Sequence, residues 1–203
     1  ERHVTDFKSL KNGVAYRAHG NLYFFDRRTG RNRFIEKRVT SYETSNKNQI
    51  VYVHDRDLYI ISQPSKHKAV RLKGNITSYQ FSANGVLGFI DDGDLYLRTT
   101  CQKGLIKRIK GNVRSYKIHN NGTFAFVDDG DLFLVQDSEK AKITKIADRV
   151  YSYDFLPGGK LTFTTRKGDF QVVGDKSAKV IPFHKHEHAK HEHEHAKHKR
   201  EIQ

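Results

Sequence analysis

The sequence has one cysteine, three prolines, and neither tryptophan nor methionine among its 203 residues. The single thiol, Cys101, excludes an internal disulfide framework and a cysteine-rich metal cluster. No apolar run approaches the roughly 18 to 20 residues that a membrane-spanning helix needs, and the first residues lack the apolar centre of a signal peptide. We therefore expect one domain that is stabilised by packing and carries no transmembrane segment.

Acidic residues are also scarce relative to basic ones. The formal net charge is +14 at pH 7, and the last twenty residues contribute only +1, because five Lys or Arg stand against four Glu there. The strongly basic part is thus the body before residue 184, which favours an acidic protein surface or another polyanion as partner. Lys and Arg do not alternate with stacking aromatics, so nucleic acid is the less favoured partner.

Two sequence anchors recur about every 37 residues. The first is an aromatic residue that usually follows serine, at Phe7, Tyr42, Tyr79, Tyr116 and Tyr153. The second is the residue after a turn, at Leu22, Leu58, Leu95, Leu132 and, in our alignment, Phe170. Together they predict five units, which span residues 1–37, 38–74, 75–111, 112–148 and 149–183.

Each unit reads as four short strands, rich in aromatic and β-branched residues and separated by Asn, Asp and Gly. A four-stranded repeat of this length is typical of a propeller blade, so we predict an all-β, five-bladed β-propeller over residues 1–183. Packing of unit five against unit one is expected to close the ring, and an arc of a larger ring is the alternative. The recurring aromatics Phe7, Tyr42, Tyr79, Tyr116 and Tyr153 are predicted to pack between blades.

The repeated phrases "GFIDDGDLYL" and "AFVDDGDLFL" contain Asp-Gly pairs between two apolar runs. Such pairs adopt the positive φ angles of tight hairpins, which predicts turns at Asp92-Gly93 and Asp129-Gly130. Calcium binding is the alternative, since hard cations gather several oxygen ligands. The flanking carboxylates in question are Asp91, Asp94, Asp128 and Asp131.

The stretches "FSANGVLGFIDDGDLYLRTTCQKGLIKRIKG" and "IHNNGTFAFVDDGDLFLVQDSEKAKITKIAD" resemble the repeat of TolB-like and WD-repeat-like propellers. That repeat carries a Ser-Pro-Asp-Gly turn, an Ala-Phe strand, an Asp-Gly-Asn-Leu-Tyr hairpin and a closing Arg-Leu-Thr. The resemblance covers residues 1–183 and implies the propeller fold, with a slight preference for the periplasm or secretion. It implies no catalytic residue, because neither the α/β domain of TolB nor the hydrolase domain of related peptidases has a counterpart here.

Hydrolysis of a glycan is the alternative function. A propeller can bring acids from several inner strands into one central funnel, and Asp6, Glu43 and Asp154 stand next to the recurring aromatics. No Ser-His-Asp spacing, nucleophile elbow or phosphate-binding glycine loop accompanies them. The sequence therefore favours a non-catalytic binding scaffold for an acidic partner, most readily a protein.

Composition changes sharply after Phe183, where the last twenty residues hold seven of the twelve histidines. If this tail is helical, a 4, 3, 4, 3 spacing places five of them on one stripe: His184, His188, His191, His195 and His198. Imidazoles one turn apart suit zinc, nickel or copper, although no cofactor is required by the rest of the chain. If the tail is disordered instead, its histidines make it a polycation as pH falls through about 6.

Overall fold

The computed structural model describes residues 3–66, 68–98, 106–136, 142–173 and 178–183. These residues form β-strands and one short 3₁₀ helix, Pro64–Lys66. None of the helices in the described ranges is long and apolar enough to cross a membrane.

The strands form five antiparallel sheets, each of which follows the chain order of its four strands. First strands of the first four consecutive sheets contact one another and so lie nearest the centre. The predicted five-bladed β-propeller is therefore confirmed. Blade one contains β1 Val4–Leu10, β2 Gly13–Ala18, β3 Asn21–Asp26 and β4 Arg31–Glu36; blade two, β5 Val39–Ser45, β6 Gln49–His54, β7 Asp57–Ile61 and β8 Ala69–Lys73; blade three, β9 Ile76–Phe81, β10 Leu87–Asp91, β11 Asp94–Arg98 and β12 Ile106–Lys110; blade four, β13 Ser115–Ile118, β14 Phe124–Asp128, β15 Asp131–Gln136 and β16 Lys142–Ala147; blade five, β17 Ser152–Phe155, β18 Leu161–Thr165, β19 Gly168–Val173 and β20 Lys179–Pro182.

Tight turns join the second and third strands of blades three and four. In blade three, Asp92 has φ 50° and Gly93 has φ 80°, and Asp91 pairs with Asp94 across the turn. In blade four, the φ angles are 48° at Asp129 and 82° at Gly130. Two consecutive positive φ angles are what a two-residue type I′ hairpin requires, and Asp-Gly meets that requirement at low steric cost.

Every blade has two chemically different faces, because side chains alternate along each strand. One face carries the recurring aromatic of the first strand and a stacked aromatic pair from the second and third strands; we call it the aromatic face. Ring centroids of the stacked pairs are 5.1 to 5.5 Å apart. The opposite face of blades one to four carries a small residue or valine on the second strand and the recurring leucine on the third; we call it the leucine face. Its second-strand and third-strand residues are Ala15 and Leu22, Val51 and Leu58, Gly88 and Leu95, and Ala125 and Leu132.

The leucine face of each blade packs on the aromatic face of the next, and four apolar clusters join the five blades in chain order. Between blades three and four, the Tyr116 hydroxyl donates a hydrogen bond to the Gly88 carbonyl at 3.0 Å. A Cβ on Gly88 would lie 2.8 Å from Ile118 Cδ1 and 3.0 Å from Tyr116 Cε2. The absence of a side chain at Gly88 therefore allows the Tyr116 ring to approach the sheet.

The interblade position predicted for the recurring aromatics is wrong for Phe7. Tyr42 and Tyr116 are buried between blades, Tyr79 and Tyr153 are half-buried against a preceding blade, but Phe7 is 70% exposed. Among the described residues, no apolar cluster joins blade five to blade one. Phe7 is exposed because no described blade precedes the one in which it lies, and the expected packing of unit five on unit one is likewise not seen.

Strand pairing in blade five also corrects our alignment of the second anchor. Thr165 pairs with Gly168 and Phe163 pairs with Phe170, whereas in blade three Asp91 pairs with Asp94 and Phe89 with Tyr96. Phe170 therefore corresponds to Tyr96, and Asp169 occupies the leucine position. The leucine face is replaced in blade five by a polar face.

Candidate functional site

The β3–β4 turn of blade one concentrates positive charge. Four arginines, Arg27, Arg28, Arg31 and Arg33, lie within seven residues of the sequence. Asp26 precedes them and is 2% exposed, and its Oδ1 accepts a hydrogen bond from the Arg28 backbone amide at 3.0 Å. The buried carboxylate thus fixes the turn from which the arginine side chains project.

Blade two places two cations in and next to a short helix that contacts β3. The short helix Pro64–Lys66 packs against β3, and its Pro64 is buried. Lys66 ends the helix, and Lys68 follows two residues later. We call the six cations Arg27, Arg28, Arg31, Arg33, Lys66 and Lys68 the basic cluster.

Within the described ranges, no member of the basic cluster forms a salt bridge. Arg33 is half-buried, and its Nε lies out of contact with solvent without a hydrogen-bond acceptor in this part of the chain. Desolvated guanidinium groups favour hydrogen bonds to carboxylates or phosphates. The cluster therefore has unused capacity for an anion.

One outer-strand cation in each of blades two to four behaves differently, because an aspartate of the same blade holds it. Arg71 Nε lies 2.6 Å from Asp57 Oδ2, and Arg108 Nε lies 2.6 Å from Asp94 Oδ2. The Arg71 guanidinium holds the pKa of Asp57 below its usual value by hydrogen bonding to it. In blade four, Lys145 Nζ lies 2.5 Å from Asp131 Oδ2.

Blade one lacks both members of this pair. Strand register places Asn21 where blades two to four have aspartate, and Phe34 where they have the cation. Phe34 packs edge-on against Tyr23, with ring centroids 5.7 Å apart. Blade one therefore lacks the outer-strand ion pair of blades two to four.

The four carboxylates that flank the two Asp-Gly turns all have cationic partners. Besides the pairs of Asp94 and Asp131 already given, Lys73 Nζ lies 3.1 Å from Asp91 Oδ2, and Lys110 Nζ lies 3.0 Å from Asp128 Oδ2. These two lysines come from the preceding blade, so the pairs join neighbouring blades. Across the described residues there is no group of three or more His, Cys, Asp or Glu placed to hold a metal ion.

The three acids considered for catalysis each form an ion pair near the inner strands. Distances between the paired atoms are 2.7 Å for Asp6 and Arg17, 2.7 Å for Glu43 and Lys8, and 2.8 Å for Asp154 and Lys117. Hydrogen bonding to Lys117 lowers the pKa of Asp154. A general acid requires the opposite shift if it is to hold a proton near neutral pH.

Two open clefts lie between blades of the second half of the chain. The larger, of about 690 Å³, is lined by the turns around Gly93 and Gly130 and by residues 112–114. The smaller, of about 280 Å³, includes Asp154, Lys117 and Asp169. Neither cleft includes Asp6 or Glu43.

The histidine stripe of the tail, namely His184, His188, His191, His195 and His198, lies outside the described residues, as does Cys101. The basic cluster, by contrast, is well described but was missed by our sequence reasoning. The signal for it was the run "DRRTGRNR", because four arginines around one outer turn have no counterpart in the other units. The net charge of the whole body does not reveal this turn, whereas the charge of each unit does.

Comparison with known proteins supports the fold and goes no further. No family model matches the chain, and no curated protein matches it. Among solved structures, Hsv2 of Kluyveromyces lactis superposes with a TM-score of 0.52 at 11% identity, over 89% of this chain and 63% of that one. Virginiamycin B lyase of Staphylococcus aureus gives a TM-score of 0.46 at 10% identity, over 87% and 83% of the two chains. The chain is thus similar in fold to β-propeller proteins, and it spans less than two thirds of the length of Hsv2.

Proposed function

We propose that this propeller is a non-catalytic binding scaffold whose basic cluster contacts an acidic protein. The observation that carries the proposal is the contrast between its six cations, which form no salt bridge within the described residues, and three paired outer-strand cations, Arg71, Arg108 and Lys145. A cation already held by an aspartate has little to gain from a partner's carboxylate. An unpaired arginine has no such competitor, so it forms new charge-assisted hydrogen bonds at a smaller loss.

The test compares two triple variants with the same change in net charge. Arg27→Gln, Arg28→Gln and Arg31→Gln remove three cations of the cluster. Arg71→Gln, Arg108→Gln and Lys145→Gln remove three paired cations instead. Binding to immobilised poly-L-glutamate, as a stand-in for an acidic protein, is measured from low to high salt by surface plasmon resonance.

We expect the cluster variant to bind at least ~10-fold more weakly, with a shallower salt dependence, because fewer ion pairs form. The paired-cation variant should bind within about 3-fold of the unaltered chain once circular dichroism shows it folded. Equal losses in the two variants would mean that affinity follows net charge alone. A single-stranded oligonucleotide run in parallel shows whether the same residues select a nucleic acid instead.

The non-catalytic part of the proposal is supported by the lysine beside Asp154, which holds the pKa of that carboxyl low. Glycan hydrolysis through Asp6, Glu43 and Asp154 remains the competing hypothesis. It predicts release of reducing sugar from a panel of polysaccharides, abolished by Asp154→Asn. A rate that survives Asp154→Asn, or no detectable rate, is expected if the chain is a scaffold.

The tail is proposed to bind zinc or nickel through its histidine stripe, or otherwise to respond to pH. Titration calorimetry at pH 7.5 should show zinc binding that disappears when residues 184–203 are removed. Replacing His188, His191 and His195 should weaken binding more than replacing His186 and His193, which lie off the stripe. Equal losses would indicate independent histidines, and no zinc response would leave only the pH-dependent charge.

A further inference from the structure

The aromatic face of blade one has the composition of an interior surface. Strand register places six apolar residues on it: Phe7, Val14, Tyr16, Tyr23, Phe25 and Phe34. Tyr16 and Tyr23 stack with ring centroids 5.2 Å apart, as the corresponding pairs do in the other four blades. Blade one is therefore folded like the others, and its aromatic face is already formed.

Exposure separates this face from its four counterparts. Phe25 is 36% exposed and Phe34 is 50% exposed. In the other blades, the residues that correspond to Phe25 are at most 9% exposed; they are Ile61, Arg98, Val135 and Val172. The residues that correspond to Val14 are at most 2% exposed; they are Ile50, Leu87, Phe124 and Leu161. Adjoining exposed aromatics of this kind mark interaction surfaces on soluble proteins.

Four interfaces within the described residues show which kind of surface covers an aromatic face. In every described interface the cover is the leucine face of a sheet, with Gly, Ala or Val opposite the recurring aromatic and leucine over the stacked pair. At Gly88 this fit is close enough that an added Cβ would meet Tyr116 and Phe124 at 3.0 Å. The shape required of a partner is thus a flat sheet with a small residue at its centre.

Blade five does not provide that surface. Its corresponding residues are Thr162, Asp169 and Gln171, and the Asp169 carboxylate accepts a hydrogen bond from the Thr164 hydroxyl at 2.7 Å. Burying these groups on aromatic rings would remove them from water without apolar gain. A head-to-tail second copy of this chain is disfavoured for the same reason.

A face-to-face second copy is disfavoured by size. Two aromatic faces would oppose large side chains to large ones, which none of the four described interfaces does. Strand register puts Arg31 and Arg33 on the leucine face of blade one, opposite Phe34, so the basic cluster takes no part in this contact.

We propose that the aromatic face of blade one is a docking surface for a β-sheet of a separate polypeptide. That sheet presents a small residue and leucines in the pattern of the leucine face. This inference goes beyond the scaffold function proposed above, because apolar burial at Phe7 and Phe34 supplies the affinity and the basic cluster does not.

The experiment converts the polar face of blade five into the proposed occupant. A donor chain carries Thr162→Ala, Asp169→Leu and Gln171→Leu, which copy Ala125, Leu132 and Leu134 of blade four. It also carries Phe7→Glu, so that its own aromatic face is blocked and it neither closes nor self-associates. Mixed with the unaltered chain in analytical ultracentrifugation, it should form a 1:1 complex with a Kd of about 10 μM or tighter.

Matched receptors test where the complex forms. A receptor with Phe7→Glu should bind the donor at least ~10-fold more weakly, and a donor that keeps its polar face should not bind. A receptor with Arg27→Gln, Arg28→Gln and Arg31→Gln should still bind the donor, which separates this inference from the basic-cluster proposal. Equal binding by the Phe7→Glu receptor, or no complex with a folded donor, would overturn it. So would a dimer of the unaltered chain that Phe7→Glu abolishes, which would assign the face to a second copy.

If circular dichroism shows the donor unfolded, a fusion replaces it. A copy of residues 75–111 is placed ahead of the full chain, so that the leucine face of the copy reaches the aromatic face of blade one. This fusion should melt at least ~4 °C higher than the same fusion with Leu95→Asp and Leu97→Gln in the added copy. Equal melting temperatures would show that the face does not accept a leucine face.

Discussion

Blade one and blade five each present one sheet face that no other described blade covers, and the two faces differ in chemistry. In blade five, the residues at the corresponding positions are Thr162, Asp169 and Gln171. In blade one, the aromatic face keeps the residues of a buried interface, including Phe7 at 70% exposure. Terminal repeats of stacked proteins commonly carry a polar outer face for solubility. Blade five has a polar face of that kind and blade one does not, so the two uncovered faces differ in what their burial would gain.

The largest expected effect contrasts a covered aromatic with the uncovered one. Tyr116→Ala removes a side chain that is 6% exposed and hydrogen-bonded to the Gly88 carbonyl, so it should lower the free energy of unfolding by about 3–5 kcal/mol. Phe7→Ala should lower it by less than about 1 kcal/mol, because little contact is lost. Urea unfolding of both variants gives the values. Similar losses would mean that the Phe7 ring is covered in solution.

The pH dependence of stability should reveal a covered phenol. Burial raises the pKa of Tyr79 to about 12, whereas a tyrosine in an unfolded chain ionises near pH 10. The buried, protonated phenol therefore contributes fully to the free energy of unfolding below pH 10, and this contribution is lost as pH rises toward 12. Between pH 10 and pH 12, the free energy of unfolding of Tyr79→Phe should fall by about 2 kcal/mol less than that of the unaltered chain. Urea unfolding at each pH tests this, and parallel pH profiles would contradict it.

A smaller loss of stability is expected at Gly88, where the leucine face of blade three packs too closely on blade four to admit a Cβ atom. Gly88→Ala places a Cβ 2.8 Å from Ile118 Cδ1, which should lower the free energy of unfolding by about 1.5 kcal/mol. Thr162→Ala alters the corresponding position on the uncovered face of blade five, and it should change the free energy of unfolding by less than about 0.5 kcal/mol. Thermal unfolding by calorimetry compares the two, and a neutral Gly88→Ala would mean that blades three and four pack loosely.

The smallest effect separates paired from unpaired cations. Because Arg71 keeps the pKa of Asp57 low, that pair stabilises the fold above about pH 4 and its contribution is lost as pH falls below. Arg71→Gln should therefore move acid unfolding to a higher pH, whereas Arg31→Gln, which breaks no pair, should not. Circular dichroism from pH 5 to pH 2 provides the measurement. An equal shift in both variants would point to a general effect of lost positive charge.

The fold was predictable because two independent sequence patterns, the recurring aromatics and the residues that follow the turns, have the same spacing. The Asp92-Gly93 and Asp129-Gly130 pairs also predicted positive φ angles, since few residue pairs suit a type I′ turn. The exposure of Phe7 was not predictable, because a repeat pattern shows which face a residue is on and not whether another blade covers it. That information lies in the three-dimensional arrangement of the ends.

The register of blade five and the basic cluster were missed for local reasons. We aligned Phe170 with leucine because both are apolar, and strand pairing instead puts Asp169 there. The arginine-rich turn was hidden in a whole-body charge count, and only the pairs formed by Arg71, Arg108 and Lys145 distinguish its cations from the rest. Ion pairing between strands is a property of the register, which composition does not contain.

The order of the interfaces has a kinetic consequence. Every apolar cluster in the described residues joins blades that are consecutive in the chain, so no described contact has to wait for the two ends to meet. Folding can therefore proceed blade by blade in chain order during synthesis. Each new blade completes the interface begun by the one before it, about 37 residues after that blade has emerged.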